Sequence, residues 1–229
     1  MTTQPTLEQR RFNMIEQQIR TWEVLDPQVL ELLWQVRREE FVPRQHQALA
    51  FVDMEIPLRG HPDEALRLGQ IMLAPKVEAR LLQEVGLRTH EKVLEVGAGS
   101  GHMAALLAGR AQRVISLEIE PELARMAREN LQKAGVRNAE VREADGSRGL
   151  AAEGPFDVIM LSGSVAEVPP ALLEQLKVGG RLAAIVGEEP MMRATIITRT
   201  GDATYTTAQP WDTVAPRLLH FPEPSRFRF

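Results

Sequence analysis

The run VLEVGAGSGH at 93–102 places a carboxylate, Glu95, two residues before Gly97, with Gly97, Gly99 and Gly101 at alternate positions. A glycine-rich turn leaving an apolar run is where several folds bring backbone N–H groups up to a ligand, so its neighbours report the ligand's chemistry. A phosphate-cradling P-loop needs lysine and a hydroxyl after the last glycine, whereas His102 and Met103 follow Gly101. A dinucleotide fingerprint needs glycine at the first, third and sixth positions; the glycines here are first, third and fifth, with His102 sixth. Glu95 would also sit beside the pyrophosphate and oppose its charge.

A cation suits that carboxylate. S-adenosylmethionine carries an ammonium and a sulfonium but no phosphate; Gly97, Gly99, Ser100, Gly101 and His102 are expected cofactor contacts, the glycines letting its amino-acid end approach the backbone. Glu118, 23 residues after Glu95, stands with Ile119 at the end of the next apolar run, where a ribose hydroxyl finds its acceptor. Asp145 and Gly146 follow the third run; the aspartate can accept from an adenine amino group and the glycine leaves room for the ring. Taken singly, each feature has a plain structural reading: a tight turn, a capping acid, a surface acid, a DG turn. Their order along the chain favours the cofactor.

The elements that must position these residues follow from periodicity. Apolar spacing at Phe12, Ile15 and Ile19 predicts one amphipathic helix over about 7–20, and Asp26 followed by Pro27 starts a second that ends before Pro43. From Ala48 to Pro75 no period persists, and PLRGHPDEALRLG is expected as a connecting loop with one turn of helix. A helix at 76–87 then opens an alternation of strands (92–96, 113–117, 139–143, 156–161, 181–186) with helices. This predicts an α/β fold, a Rossmann-like doubly wound sheet, mostly parallel, with N-terminal helices. ATIITRT, the turn at 201–202 and ATYTT add an antiparallel C-terminal hairpin.

The expected organisation is a single domain over 1–229. Within it, 1–75 is an N-terminal helical and active-site-lining segment, 76–200 the cofactor-binding core, and 201–229 a C-terminal strand and tail. A content of 44% hydrophobic residues supports a sizeable core, and a net charge of −4 gives no basic field for nucleic acid. Without cysteine, thiolate metal sites and cysteine nucleophiles are excluded, and the five histidines are too scattered for a metal site. No apolar leader or membrane span is visible, so the expectation is a cytoplasmic protein with no membrane partner.

The chain resembles the class I S-adenosylmethionine-dependent methyltransferases, and more closely the protein-L-isoaspartate O-methyltransferases. VLEVGAGSGH is similar to their first motif, ISLEIEPELARMARENL to their ribose-binding segment and EADGSRG to their adenine-side loop. GPFDVIMLSGSV and PPALLEQLKVGGRLAAIVG resemble their fourth and fifth strands. EEFVPRQHQALAFVDMEIPL and GQIMLAP resemble the stretches that line their active site, which implies lining roles for Asp53, Gln70 and Leu73. The resemblance implies methyl transfer to a carboxylate of damaged aspartyl residues in a peptide or protein, by alignment and desolvation rather than by a general base.

Two departures bear on the acceptor. Leu73 stands where the family has a serine, and RGHPDEALRL widens the gap between IPL and GQ. Ser162 and Ser164 are candidates to return a hydroxyl. These departures leave a diverged acceptor as one reading, and Leu73 motivates another, a cofactor-binding module without turnover. A nicotinamide-dependent oxidoreductase is the third, opposed by Glu95 and the displaced glycine. The C-terminal PSRFRF is a candidate peptide-binding edge.

Overall fold

Local signals set the N-terminal elements in this computed structural model, which describes residues 5–223; the expected peptide-binding edge at 224–229 lies outside them. The Thr6 hydroxyl caps helix α1 (Leu7–Asn13) by accepting from the Gln9 N–H at 3.2 Å. The chain continues through a wider π turn at Met14–Ile19 and a 3₁₀ turn at Arg20–Trp22, and stops at left-handed Glu23. The expected uniform helix over 7–20 is thus corrected. The wider turn rotates the buried face, so that Met14 packs inward with Ile15 and Ile19 while Phe12 is 45% exposed. Helix α2 (Pro27–Gln35) starts as expected, with the Asp26 carboxylate accepting from the Gln28 N–H at 2.8 Å.

The stretch expected as a loop with one turn of helix holds that helix and, beyond the expectation, a small strand pair. Strand β1 (Ile56–Pro57) pairs antiparallel with β2 (Ile71–Met72), and helix α3 (Pro62–Arg67) lies between them. Two-residue strands are too short to leave a periodic signal in sequence, which is why this ribbon escaped the reading of apolar spacing. Helix α4 (Pro75–Val85) follows and ends at left-handed Gly86.

The alternating region forms β3 (Lys92–Val96), α5 (His102–Ala108), β4 (Arg113–Glu118), α6 (Pro121–Lys133), β5 (Ala139–Glu143), β6 (Phe156–Val165), α7 (Pro170–Leu173) and β7 (Leu176–Glu188). An antiparallel pair, β8 (Met191–Arg199) and β9 (Tyr205–Thr213), completes it. The sheet order is β5-β4-β3-β6-β7-β8-β9, parallel from β5 to β7 and antiparallel beyond, which is the doubly wound arrangement with the expected C-terminal hairpin. The chain leaves β3 towards one edge, through β4 and β5, and returns to β3's other side as β6. That switch opens a crevice at the carboxyl end of β3, where the glycine turn lies.

Period-two alternation divides the core between the two faces of the sheet. Leu94, Val96, Ile115, Leu117 and Ile159 join Leu172 of α7 on one face. On the other, Val93, Val114 and Val158 meet α4, α5 and α6 together with Met14, Leu32 and Phe41 from the N-terminal segment. Among the described residues no helix is long and apolar enough to cross a membrane.

Candidate active site

A cleft opens at the switch point, bordered by Gly97 and Gly99 after β3, Glu118 and Ile119 after β4, and Asp145 and Gly146 after β5. Gln70 from the segment around β2 borders it as well. Sequence order along the chain has become spatial order along one crevice. Gly97 has φ of +93°, and a Cβ there would lie 2.9 Å from Leu218 Cδ2. A Cβ on Gly146 would lie 2.4 Å from Val96 Cγ1, so both positions bring bare backbone up to the cleft.

Glu118 is 6% exposed and holds the turn in place: Oε2 accepts from the Gly99 N–H at 2.8 Å and Oε1 from the Glu120 N–H at 3.0 Å. Burial raises its carboxyl above the ordinary range, against the N–H groups of Gly99, Glu120 and Ile119. Asp145 behaves oppositely. Burial pushes it up, but the Ser147 N–H and His220 override that push and hold it below the usual carboxylate range.

Six of the expected residues lie off the cleft, each for a geometric reason. Glu95 is fully buried one layer beneath it, because strand alternation points this side chain into the α4–α5 face of the sheet. There Ser116 of β4 donates to Oε2 at 2.6 Å and Ser162 of β6 donates to Oε1 at 2.8 Å. Ser162 also borders the cleft, so it joins Glu95 to the ligand space. Ser100 is buried, and its carbonyl accepts from Asn130 at 2.9 Å; Gly101 packs against Ala127 of α6. His102, the first residue of α5, directs Nδ1 at Glu78 2.9 Å away rather than at the cleft. Leu73 is 6% exposed and packs into the core, while its carbonyl accepts from Arg38 at 2.7 Å. Asp53 pairs with Lys76 at 2.9 Å.

The structure adds a wall that the sequence reading missed. After β9 the chain turns back as a tail beside the end of β6, where Ser164 N–H donates to the Pro216 carbonyl and Leu218 N–H to the Ser164 carbonyl, both at 2.8 Å. Leu218 rests on Gly97 and Gly163, and His220 reaches Asp145 at 2.8 Å. The glycine at 163 was the available signal, since it marks a place where a neighbour must come close.

Burial pushes the Glu95 carboxyl up to about 7 despite its two hydroxyl donors, with Glu78 and Glu118 adding to the shift. The sign for stability follows. Below pH 4.5 the group is protonated in both folded and unfolded chains; between 4.5 and about 7 only the folded chain keeps its proton, so stability falls as pH rises. At 1.36 kcal/mol per pK unit the loss is about 3 kcal/mol. Urea unfolding at pH 5 and pH 8 is therefore expected to show the parent losing this amount relative to Glu95→Gln, whereas parallel profiles would dismiss the shift.

The site suits a ligand with hydroxyls to donate and an amino group to present, and among the described residues it offers glycine backbone without a phosphate-gripping lysine. The chain is similar to known proteins along most of its length. A sequence profile of the protein-L-isoaspartate(D-aspartate) O-methyltransferase family matches residues 9–214. A protein-L-isoaspartate O-methyltransferase of Methanoculleus marisnigri is 39% identical over 177 residues, 77% of each chain. One from Koribacter versatilis is 39% identical over 189 residues, 82% of this chain and 81% of its own.

Among solved structures, a protein-L-isoaspartate O-methyltransferase superposes with a TM-score of 0.78 at 22% identity, covering 93% of this chain and 66% of that one. A Plasmodium falciparum protein described as a beta-aspartate methyltransferase, in complex with S-adenosyl-L-homocysteine, gives 0.74 at 19% identity, covering 93% and 99%. These two share the fold. The profile takes in the N-terminal segment, the glycine turn and the strands beyond it, and the chain belongs to the protein-L-isoaspartate(D-aspartate) O-methyltransferase family.

Proposed function

We propose that this protein transfers a methyl group from S-adenosylmethionine to the free carboxylate of an isoaspartyl or D-aspartyl residue in a polypeptide. The observation that carries the reading is the single cleft lined by Gly97, Gly99, Glu118, Asp145 and Gly146 in a chain of this family. The residues present fit the cofactor. Glu118 offers acceptor capacity for ribose hydroxyls, Asp145 is held ionised beside Gly146 for an amino group of adenine, and the Ser162 hydroxyl, which donates to the buried Glu95, keeps its own oxygen as an acceptor at the cleft's border.

When bound, S-adenosylmethionine supplies a methyl group on a cationic sulfur. The protein's task is then to bind, align and exclude water. An ionised acceptor oxygen needs no general base, and attack by an anion on a cation dissipates charge, so a dry, apolar enclosure favours it. Leu218, Ile71 and Leu117 contribute apolar walls to that enclosure. Leu73 argues less strongly for a module without turnover than its sequence position suggested, since its side chain belongs to the core.

Transfer of labelled methyl to a short isoaspartyl peptide, with the normal aspartyl peptide as control, tests the reading. Selective, base-labile labelling is expected. Protein that binds S-adenosylmethionine but labels neither isoaspartyl nor D-aspartyl peptides would overturn it.

A further inference from the structure

A second cavity adjoins the cofactor cleft at the carboxyl edge of the sheet, bordered by Glu55, Arg67, Glu188, Glu189, Met192 and Arg217 among others. Arg217 is the residue common to both sets of lining residues. Its backbone is fixed: the tail is bridged to Ser164, and Gly69 packs so closely on the Arg217 carbonyl that a Cβ would lie 3.0 Å away. The guanidinium donates through Nη1 to the Gly187 carbonyl at 2.9 Å, and Nε meets Glu223 Oε1 at 3.0 Å. Among the described residues none accepts from Nη2.

We propose that Arg217 binds the acceptor's carboxylate and sets the preference for an anionic acceptor, an inference that rests on the methyl-transfer reading above. A guanidinium presents its donors as a fork that matches a carboxylate in two-point contact. Glu223, half exposed, occupies one prong of the Nε–Nη2 edge and stands in for the acceptor that displaces it. The arginine supplies the polar contact that Leu73 cannot. The cavity's own carboxylates oppose an incoming anion, although burial, reinforced by Glu189, pushes the Glu55 carboxyl above the ordinary range. Arg67 on the same wall has no carboxylate partner among the described residues.

The reaction gives this contact a kinetic signature. The acceptor oxygen's lone pair forms the bond to the methyl carbon while the carbon–sulfur pair returns to sulfur, so an anion and a cation become an ester and a thioether without movement of a proton. Arg217 therefore holds the ionised reactant more strongly than the transition state, in which that charge is fading. Its removal raises KM and leaves kcat undiminished. Once the ester has formed, the charge is gone, the grip relaxes and Glu223 can return.

The test is steady-state methylation of an isoaspartyl peptide by the parent, Arg217→Gln, Arg217→Lys and Glu223→Gln, with S-adenosylmethionine affinity measured alongside. Binding of the same peptide with its free carboxylate converted to an amide completes it. Loss of one charge-assisted contact in Arg217→Gln is expected to raise KM by about tenfold or more. Its kcat and cofactor affinity should stay within about twofold of the parent's, and its preference for acid over amide should collapse; Arg217→Lys should retain part of that preference, and Glu223→Gln, freed of the competing carboxylate, should lower KM. A fall in kcat and cofactor affinity with the acid preference intact would instead make Arg217 a structural tether and overturn the proposal. Normal kinetics in Arg217→Gln would overturn it while sparing the methyl-transfer reading. A parent that binds the cofactor yet methylates no isoaspartyl peptide would overturn both.

Discussion

Replacing Glu78 by leucine is expected to lower the unfolding free energy by about 3–5 kcal/mol, the cost of leaving a buried charge without its partner. Arg38, Glu78 and His102 are each 3% exposed or less. Arg38 is ion-paired with Glu78 and donates to the Leu73 carbonyl, while His102 Nδ1 lies 2.9 Å from the same Glu78 oxygen. Burial disfavours charge on both members of the pair. Even so, His102 and Arg38 outweigh burial at Glu78 and hold its carboxyl below the usual range, and a guanidinium stays protonated in any protein setting.

For a chain of this size the loss corresponds to a fall in Tm on the order of 10 °C. The double variant Arg38→Met/Glu78→Leu should recover most of it, because an apolar pair of similar volume replaces both charges at once. Calorimetry of the two singles and the double makes the comparison. A single-variant loss below about 1 kcal/mol would mean that water or local movement relieves the stranded arginine. The cluster also ties three parts together: Arg38 from the N-terminal segment, the Leu73 strand exit with α4, and the first residue of α5 beyond the glycine turn.

This cluster shows where reading the sequence reached its end. Strand and helix alternation after residue 75 is local, and the residues that terminate successive strands, Gly97, Glu118 and Asp145, could be ordered along a crevice before any coordinates. His102 and Leu73 illustrate the opposite case. Each occupies a position in a recognised motif, yet the His102 ring is placed by Glu78 and Arg38, 24 and 64 residues away, and Leu73 turns its side chain into the core while its carbonyl accepts from Arg38. Ser116 was equally hidden. It meets Glu95 because β4 pairs with β3 in a register that aligns those two residues, and register is a property of the sheet rather than of either strand alone. The tail is the largest omission. Pro216, Arg217 and Leu218 carry no periodic pattern, and only the bare glycines at 97 and 163 mark their landing site.

The largest effect on ligand binding should come from Glu118. A carboxylate accepts about four hydrogen bonds. The N–H groups of Gly99 and Glu120 take one place on each oxygen and the Ile119 N–H acts on the same carboxylate, so Glu118, at the cleft's border, keeps only part of its acceptor capacity, which the proposed function assigns to ribose hydroxyls. Loss of such charge-assisted bonds in Glu118→Ala is expected to weaken S-adenosylmethionine or S-adenosylhomocysteine by about a hundredfold, near 3 kcal/mol. Because the same substitution removes the anchor of the Gly99 N–H, affinity alone would not separate a ribose contact from a displaced turn. A deoxyribose analogue of S-adenosylhomocysteine separates them. If Glu118 bonds the hydroxyls, the parent loses affinity for the deoxy analogue while Glu118→Ala binds natural and deoxy ligands alike, and the cycle closes with a coupling energy. If both proteins lose the same factor on removal of the hydroxyl, Glu118 acts only through the turn, and the ribose must find its acceptor elsewhere in the cleft, with Glu120 the nearest alternative.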